Sequence, residues 1–163
     1  MKKLILISIV LTFGIALNAQ SVFKKGSIMF NAGVGAPSNN GYIPTINFSG
    51  EVGVIPTGTI GIVSFGGLTE FHMADDGKNF PRFYVGGRAA WHLLALNTDI
   101  FDVYGGVGLG VIINGDGQFH SGVDVHPDLF VGGRYLISQG FGLFAEVGYT
   151  GLSFLKFGIS FGL

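Results

Sequence analysis

The chain has 163 residues, of which 48% are hydrophobic and 12% charged, and its formal net charge is −1. The length is typical of one domain, and the charged fraction is about half that of an average soluble domain. Glycine is abundant at 29 residues, but 16 phenylalanines and the absence of a collagen period argue against a disordered glycine-rich chain. The absence of cysteine excludes disulfides, thiolate metal sites and a lipid-modified N-terminal cysteine.

Residues 1–19 are predicted to be a secretory signal peptide. Two lysines precede an apolar run that ends at Leu17, and cleavage is expected after Ala19. The run falls short of the ~20 residues that a membrane-spanning helix needs. Cleavage leaves residues 20–163 as one domain, in which seven basic residues face ten acidic ones. A net charge near −3 offers no basic patch for nucleic acid.

The rest of the sequence contains segments in which apolar residues alternate with small or polar ones, the pattern of a β-strand. Most of them reach the ~9–11 residues that a tilted strand needs to cross a bilayer. In the third segment Gly66-Gly67 interrupts the alternation, so either Ile62 or Val63 could face outward, and the pattern is compatible with a β-bulge. The eight predicted strands are Ser27–Gly35, Tyr42–Val54, Gly58–Phe71, Pro81–Leu94, Ile100–Ile112, Pro127–Ile137, Phe141–Tyr149 and Ser153–Leu163.

The connections between these segments alternate in length. The connections after the even-numbered strands are tight, whereas those after the first, third and fifth strands are longer and more polar, as in outer-membrane barrels. The fourth long connection is replaced by the short Thr150–Leu152. The tight connections are Ile55–Thr57, Ala95–Asp99 and Ser138–Gly140, and the longer ones are Ala36–Gly41, His72–Phe80 and Asn114–His126.

The last hairpin, Gly140–Leu163, shows the alternation most clearly. Phe157 and Ile159 alternate with Gly158 and Ser160, so one face is apolar and the other small or polar. In lipid a strand has apolar residues outside and polar residues inside a closed barrel. The sequence therefore predicts an all-β fold, an eight-stranded antiparallel transmembrane up-and-down β-barrel.

Four stretches carry a resemblance to a known family: YVGGRAAWHL from Tyr84, VYGGVGLGV from Val103, FVGGRYLI from Phe130 and the closing hairpin. With them the chain resembles the small eight-stranded outer-membrane barrels, the OmpA-transmembrane-domain and OmpX-like proteins in the form common among Bacteroidetes. The resemblance implies a monomer in the outer membrane that contacts lipid and lipopolysaccharide and is assembled by the barrel-insertion machinery. Such barrels usually end in Phe, whereas this chain ends in Leu163.

Five charged residues fall on the polar face: Glu51, Arg88, Arg134, Glu146 and Lys156. A hairpin pivot near Gly151 places Glu146 opposite Lys156, and a pivot near Gln139 places Arg134 diagonal to Glu146. The interior of an eight-stranded barrel is just wide enough for side chains, and a lone buried charge costs several kcal/mol. We therefore expect a static ion-pair network that plugs the barrel. The alternative is a narrow porin-like channel lined by these charges.

Two further groups of residues were candidates for chemistry. His92 and Asp102 lie opposite each other if their turn centres on Asn97, which predicts a structural pair near the periplasmic rim rather than a proton relay. The loop Asn114–Asp128 begins like a calcium loop, but the pattern fails at Phe119 and Val125, so a solvated loop is expected. Its acidic and imidazole side chains are Asp116, His120, Asp124, His126 and Asp128.

Two other functional classes fit the sequence less well. A lipid A-modifying barrel needs a serine beside a histidine base, but the adjacent His120 and Ser121 would face opposite ways on a strand. A soluble ligand-binding barrel of the lipocalin kind needs more charge on its outer face than this chain has. We therefore expect a non-enzymatic envelope or surface-contact protein without catalytic residues, cofactor or metal. Trp91, Phe80, Phe83 and Tyr149 are expected in interfacial girdles.

Overall fold

The computed structural model describes residues 22–38, 44–73, 81–114 and 124–163. These residues form a closed barrel of eight strands in which sequence neighbours pair antiparallel and the last strand pairs with the first. The predicted eight-stranded antiparallel fold is confirmed, whereas the predicted signal peptide, residues 1–19, lies outside the described residues. The strands are β1 (Ile28–Pro37), β2 (Thr45–Pro56), β3 (Gly61–Met73), β4 (Pro81–Leu93), β5 (Phe101–Asn114), β6 (Asp124–Ser138), β7 (Phe141–Tyr149) and β8 (Ser153–Gly162).

The alternation read from the sequence places apolar side chains outside the barrel and polar ones inside. In β7, Leu143 and Val147 are exposed whereas Phe144 and Glu146 are buried. Closure of the sheet leaves no strand edge unpaired, which a barrel needs if its surroundings cannot hydrogen-bond to the backbone. Within the described ranges, no helix is long and apolar enough to cross a membrane.

The structure settles the orientation of β3. Ile62 is buried at 5% exposure and faces the lumen, whereas Phe65 is 47% exposed and faces outward together with Val63. The irregularity expected in this segment lies instead in its partner strand, where the register of β2 shifts between Gly53 and Ile55. β3 itself keeps a continuous register with β4 because Gly66-Gly67 continues the ladder.

The seam that closes the barrel depends on two facing glycines. Gly33 of β1 lies directly opposite Gly158 of β8. A Cβ atom at Gly33 would lie 2.2 Å from the Phe157 carbonyl oxygen, and one at Gly158 would lie 2.2 Å from the Ala32 carbonyl oxygen. The backbones of these two strands therefore approach more closely than any other residue type allows here.

Two ends of the barrel are distinguished below. The turn end carries the tight β2–β3, β4–β5 and β6–β7 connections, and the loop end carries the β7–β8 connection. Buried apolar side chains form one small cluster at the turn end, one in the middle and one at the loop end. These clusters are Phe23, Met29, Ile62 and Leu136 at the turn end, Ala90, Tyr104 and Phe130 in the middle, and Leu68, Tyr84, Ile112 and Leu152 at the loop end.

Candidate functional site

The structure places all five charges expected on the polar face inside the barrel. The Glu51 side chain is 10% exposed and the Arg88 side chain 6%. Arg134, Glu146 and Lys156 are each 1% exposed. Four of the five form ion pairs, which fall into two separate clusters, but the partners differ from those expected.

The Arg134 cluster lies near the turn end. Arg134 donates from Nη1 to Asp102 Oδ2 at 2.7 Å and from Nε to Asn31 Oδ1 at 3.1 Å, and Nη2 donates to Glu51 Oε1. Its guanidinium carbon lies 4.4 Å from the centre of the Tyr104 ring, on the face of that ring. The guanidinium thus binds two carboxylates and stacks on an aromatic ring, contacts that suit arginine better than lysine.

His92 completes the charge balance of the Arg134 cluster. Its Nδ1 lies 2.8 Å from Asp102 Oδ1 and its Nε2 lies 3.1 Å from Glu51 Oε2. Carboxylate oxygens accept hydrogen bonds, so both contacts are satisfied when both ring nitrogens donate. The cluster then contains two positive and two negative side chains. A buried cluster without net charge is far less costly than one with an unpaired ion.

The expected pair of His92 and Asp102 does form, but not by the predicted register. His92 lies opposite Tyr104 in the β4–β5 ladder, and Asp102 lies opposite Arg134 in the β5–β6 ladder. Asn97 fixes the carboxylate, because its Nδ2 donates to Asp102 Oδ1 at 2.7 Å while its Oδ1 accepts from the Val103 amide at 2.6 Å. The turn therefore contributes a side chain to the cluster and does not serve only as a pivot.

Ser64, His92 and Asp102 have the connectivity of an acyl-transfer triad, which sequence reasoning missed. Ser64 Oγ lies 3.2 Å from His92 Nε2, and His92 Nδ1 lies 2.8 Å from Asp102. All three residues are 0% exposed, and Ser64 also donates to Glu51. A serine nucleophile must be within reach of the reacting carbon, whereas the Ser64 hydroxyl is buried in this arrangement. In this arrangement the three side chains join the Arg134 cluster through direct hydrogen bonds.

The segment before β1 closes the turn end over this cluster. Phe23 is 0% exposed, and its ring stacks on the His92 ring with centroids 3.6 Å apart and planes at 9°. Gly26, in the left-handed region with φ of 87°, turns the chain back, and its amide donates to the Gly53 carbonyl at 2.8 Å. The Val22 amide donates to the Thr98 carbonyl at 3.2 Å. Backbone hydrogen bonds therefore hold the segment on either side of Phe23, whose ring covers the turn end of the lumen.

The Arg88 cluster lies in the middle of the lumen. Arg88 makes two bonds to the Glu146 carboxylate, at 3.1 and 3.3 Å, and one to Asp128 Oδ2 at 3.0 Å. Tyr104 donates to Glu146 Oε1 at 3.0 Å, and the Arg88 guanidinium lies 3.6 Å from the centre of the Phe130 ring. One guanidinium therefore uses three of the four oxygens of two buried carboxylates.

The registers expected around Glu146 are present, but the expected contacts are not. Glu146 lies directly opposite Lys156, and Arg134 lies one step diagonal to it, because Glu146 is opposite Gly132. The Glu146 carboxylate instead accepts from Arg88 and from Tyr104. Within the described part of the chain, the Lys156 ammonium has no hydrogen-bond partner.

Several polar atoms near the loop end likewise have no hydrogen-bond partner in the described ranges. Glu70 accepts one bond, from Thr150 Oγ1 at 2.7 Å, through Oε2 alone. The side chains that carry the atoms named next are at most 3% exposed. The atoms without a partner are Glu70 Oε1, Tyr84 Oη, Asp128 Oδ1, Asn47 Nδ2, Thr45 Oγ1, Ser153 Oγ and Lys156 Nζ, and their residues are called the loop-end group below.

The candidate calcium loop is only partly described. Asp116, His120 and Ser121 lie outside the described residues. Strand β6 begins three residues earlier than predicted, so Asp124 and His126 belong to it together with Asp128. Asp124 is exposed, whereas Asp128 is buried in the Arg88 cluster, which corrects the expectation of a solvated position for Asp128. Within the described ranges no group of three or more His, Asp or Glu side chains is placed to hold a metal ion.

The outer surface of the barrel is strongly apolar. Leu109 and Val131 are each 65% exposed and Val147 is 64% exposed. The expected girdle residues Trp91, Phe83 and Tyr149 are also exposed on the outside, whereas Phe80 lies outside the described residues. Soluble monomers rarely expose a continuous apolar surface of this kind.

Comparison with known proteins supports the fold and little else. No protein-family model and no curated protein matches the sequence. A solved structure described as "De novo design of transmembrane beta-barrels" is similar, with a TM-score of 0.53 and 19% sequence identity over 86% of this chain and 98% of that chain. The chain thus has the fold of a transmembrane-type β-barrel. The finer resemblance to OmpA- and OmpX-like proteins of Bacteroidetes stays a prediction.

Proposed function

We propose that this chain is a non-enzymatic integral outer-membrane β-barrel protein with a structural or surface-contact role in the envelope, its lumen plugged by side chains. The observation that carries the proposal is the distribution of polarity, with apolar residues around the outside and paired charges within. Such a surface is stable in hydrocarbon and unstable in water. Its lipid partners, including lipopolysaccharide, and its assembly by the barrel-insertion machinery as a monomer are part of the proposal.

The same distribution argues against a soluble ligand-binding barrel. A lipocalin-like protein needs an apolar lumen and a polar exterior. Here Arg134 and Glu146 occupy the lumen, whereas Leu109 and Val131 face outward. In water the apolar exterior of this chain would be exposed to solvent, and Arg134 and Glu146 would occupy the place where a lipocalin-like protein binds an apolar ligand.

The filled lumen argues against an open channel. The Arg134 and Arg88 clusters cross the barrel from wall to wall, linking β6 to β2 and β4 to β7 respectively. Phe23 closes the turn end, and Leu152 belongs to the apolar cluster at the loop end. An ion would have to displace charge-assisted hydrogen bonds at two levels to pass.

The outer-membrane location rests on residues 1–19 and on the family resemblance, and gel electrophoresis with fractionation tests it. We expect the protein to sediment with outer membranes and, extracted in mild detergent, to run at different positions before and after boiling. Recovery in the soluble fraction without a mobility shift would contradict the membrane barrel.

Planar-bilayer recording tests the plug separately. We expect the purified protein to leave the conductance of the lipid unchanged. Discrete conductance steps would favour the narrow porin-like channel while leaving the membrane location intact.

A further inference from the structure

The lumen contains two buried ions of opposite charge that the described residues leave incompletely satisfied. Lys156 is 1% exposed, and its ammonium has no hydrogen-bond partner among the described residues. Glu70 is also 1% exposed, and its Oε1 has none either. Glu146 lies opposite Lys156 in the ladder, and the charge of Asp128 interacts with that of Lys156. Both carboxylates, however, bind Arg88. Lys156 is therefore not neutralised by a direct contact.

The neighbours of these two ions form a continuous polar wall. Asn47, Glu70 and Tyr84 are consecutive partners across β2, β3 and β4. Lys156 and Thr45 flank Gly35 across β8, β1 and β2. The free atoms include donors on Asn47 and Lys156 and acceptors on Glu70, with hydroxyls on Thr45 and Tyr84 that can act as either.

Among the described ion clusters of the lumen, the Arg134 cluster is satisfied differently from the loop-end group. In the Arg134 cluster of the same lumen, every ionised side chain has an oppositely charged partner. A buried unpaired ion is costly, and such groups persist where function uses them. Local rules are broken mainly at functional sites, so the loop-end group has the character of a site rather than of a plug.

We propose that the loop-end group binds a small zwitterionic solute of the α-amino-acid type. Lys156, with Asn47, binds its carboxylate, and Glu70, with Tyr84, binds its ammonium group. A simple anion would pair with Lys156 but leave the buried Glu70 carboxylate unpaired. A simple cation would pair with Glu70 but leave the Lys156 ammonium unpaired. A solute with both charges satisfies both, so the zwitterion is the class that complements this wall.

Among the described residues, the β7–β8 connection is tethered directly to the loop-end group. Thr150 bonds to Glu70 Oε2, and the Leu152 carbonyl accepts from the Ser38 amide at 2.8 Å. Gly151, with φ of 88°, sits between these two tethers, and Leu152 packs on Tyr84 in the loop-end apolar cluster. Breaking the Thr150 bond would remove one of the two tethers and would free the second oxygen of Glu70 for the solute.

The test is a titration followed by two-dimensional NMR of the nitrogen-15-labelled full chain in detergent micelles. Glycine is the smallest zwitterion, and acetate and methylammonium carry its two charges separately. We expect glycine to shift the amide resonances of Asn47, Glu70 and Lys156 in a saturable way. Each half-molecule should bind at least about tenfold more weakly, as expected when one charge-assisted hydrogen-bonded contact is lost.

Matched variants assign the contacts. Lys156→Gln and Glu70→Gln should each weaken glycine binding by about tenfold or more. Lys25→Gln removes an exposed lysine from the segment before β1 and should leave binding unchanged.

Two results would overturn the proposal. One is the absence of any saturable shift with glycine in the unmodified protein. The other is equal binding of acetate and glycine, with no effect of Glu70→Gln, which would make the group a simple anion site. Both rest on the unmodified chain or on Glu70→Gln, so they hold even if Lys156→Gln fails to fold.

Discussion

The Arg134 cluster and the loop-end group lie in one lumen but satisfy their buried polar atoms differently. Around Arg134, two carboxylates, an imidazole and an amide are joined by direct hydrogen bonds. At the loop end, Lys156 and one oxygen of Glu70 have no such bond within the described ranges. Arg134 and Lys156 are both 1% exposed, so burial alone does not distinguish the two regions. The number of charged partners does.

Replacing Arg134 should have the largest effect on stability. Arg134→Met leaves Glu51 and Asp102 without their main cation, which should lower the free energy of unfolding by about 3–5 kcal/mol. Urea titration in micelles, read by the gel mobility of unboiled samples, measures this. Arg134→Lys keeps the charge but not the fork, so its loss should be intermediate. Equal stability of Arg134→Met and the unmodified protein would remove the basis of the comparison.

Replacing Phe23 at the turn end should have the second-largest effect on stability. Phe23→Ala removes the ring that stacks on His92 and should cost about 3 kcal/mol, because Phe23 is buried but lies outside the strands that close the barrel. The same urea titration gives the loss, and planar-bilayer recording shows whether the Arg134 cluster alone still blocks the lumen. Phe154→Ala, on the outer surface, is the matched control. A loss no larger than that of the control would show that Phe23 contributes little.

Thr150→Val should have a moderate effect. It removes the bond to Glu70 Oε2 at nearly constant volume and leaves a buried carboxylate without the partner it has now, a loss of about 1–2 kcal/mol. Amide hydrogen exchange should rise at Leu152 and Ser153 and not in β5, since only the β7–β8 connection is released. Uniformly faster exchange in all strands would point to a global effect instead.

Lys156→Met should have the smallest effect on stability, within about 1 kcal/mol or stabilising, because no hydrogen-bonded partner is orphaned and an unpaired buried charge is removed. This variant pairs with Arg134→Met, since both replace a buried cation by the same residue. A loss as large as that of Arg134→Met would show that Lys156 holds the barrel together, and the distinction between the two regions would then fail.

The strands could be predicted from the sequence, and most of the contacts inside could not. Alternation has a period of two and depends on local residues, so β7 was predicted at its observed bounds, Phe141–Tyr149. The interior contacts depend on which long side chain reaches across the lumen. Glu146 forms its ion pair with Arg88, 58 residues away in the sequence, rather than with Arg134 or Lys156, which are closer in the sequence. The strand register alone therefore does not predict which of several cations pairs with a given carboxylate.

Two other features had weak or misleading signals. Phe23 is a single aromatic residue in a short segment without alternation, and only its position just before β1 sets it apart. Asp128 closes a stretch that begins like a calcium loop, yet it lies on the inward face of β6 and bonds to Arg88. In both cases the side chain's role is set by the closed barrel rather than by its neighbours in sequence.

The glycine seam between β1 and β8 has a consequence for the order of assembly. Gly33 and Gly158 stand at opposite ends of the chain, so this ladder closes the longest loop in the molecule and pays the largest loop-closure entropy. The pocket that receives Phe23 is built from Met29 of β1, Ile62 of β3 and Leu136 of β6, which surround one lumen only after that closure. We therefore expect Phe23 to reach its pocket late in folding, so that its stacking on His92 would report a closed barrel.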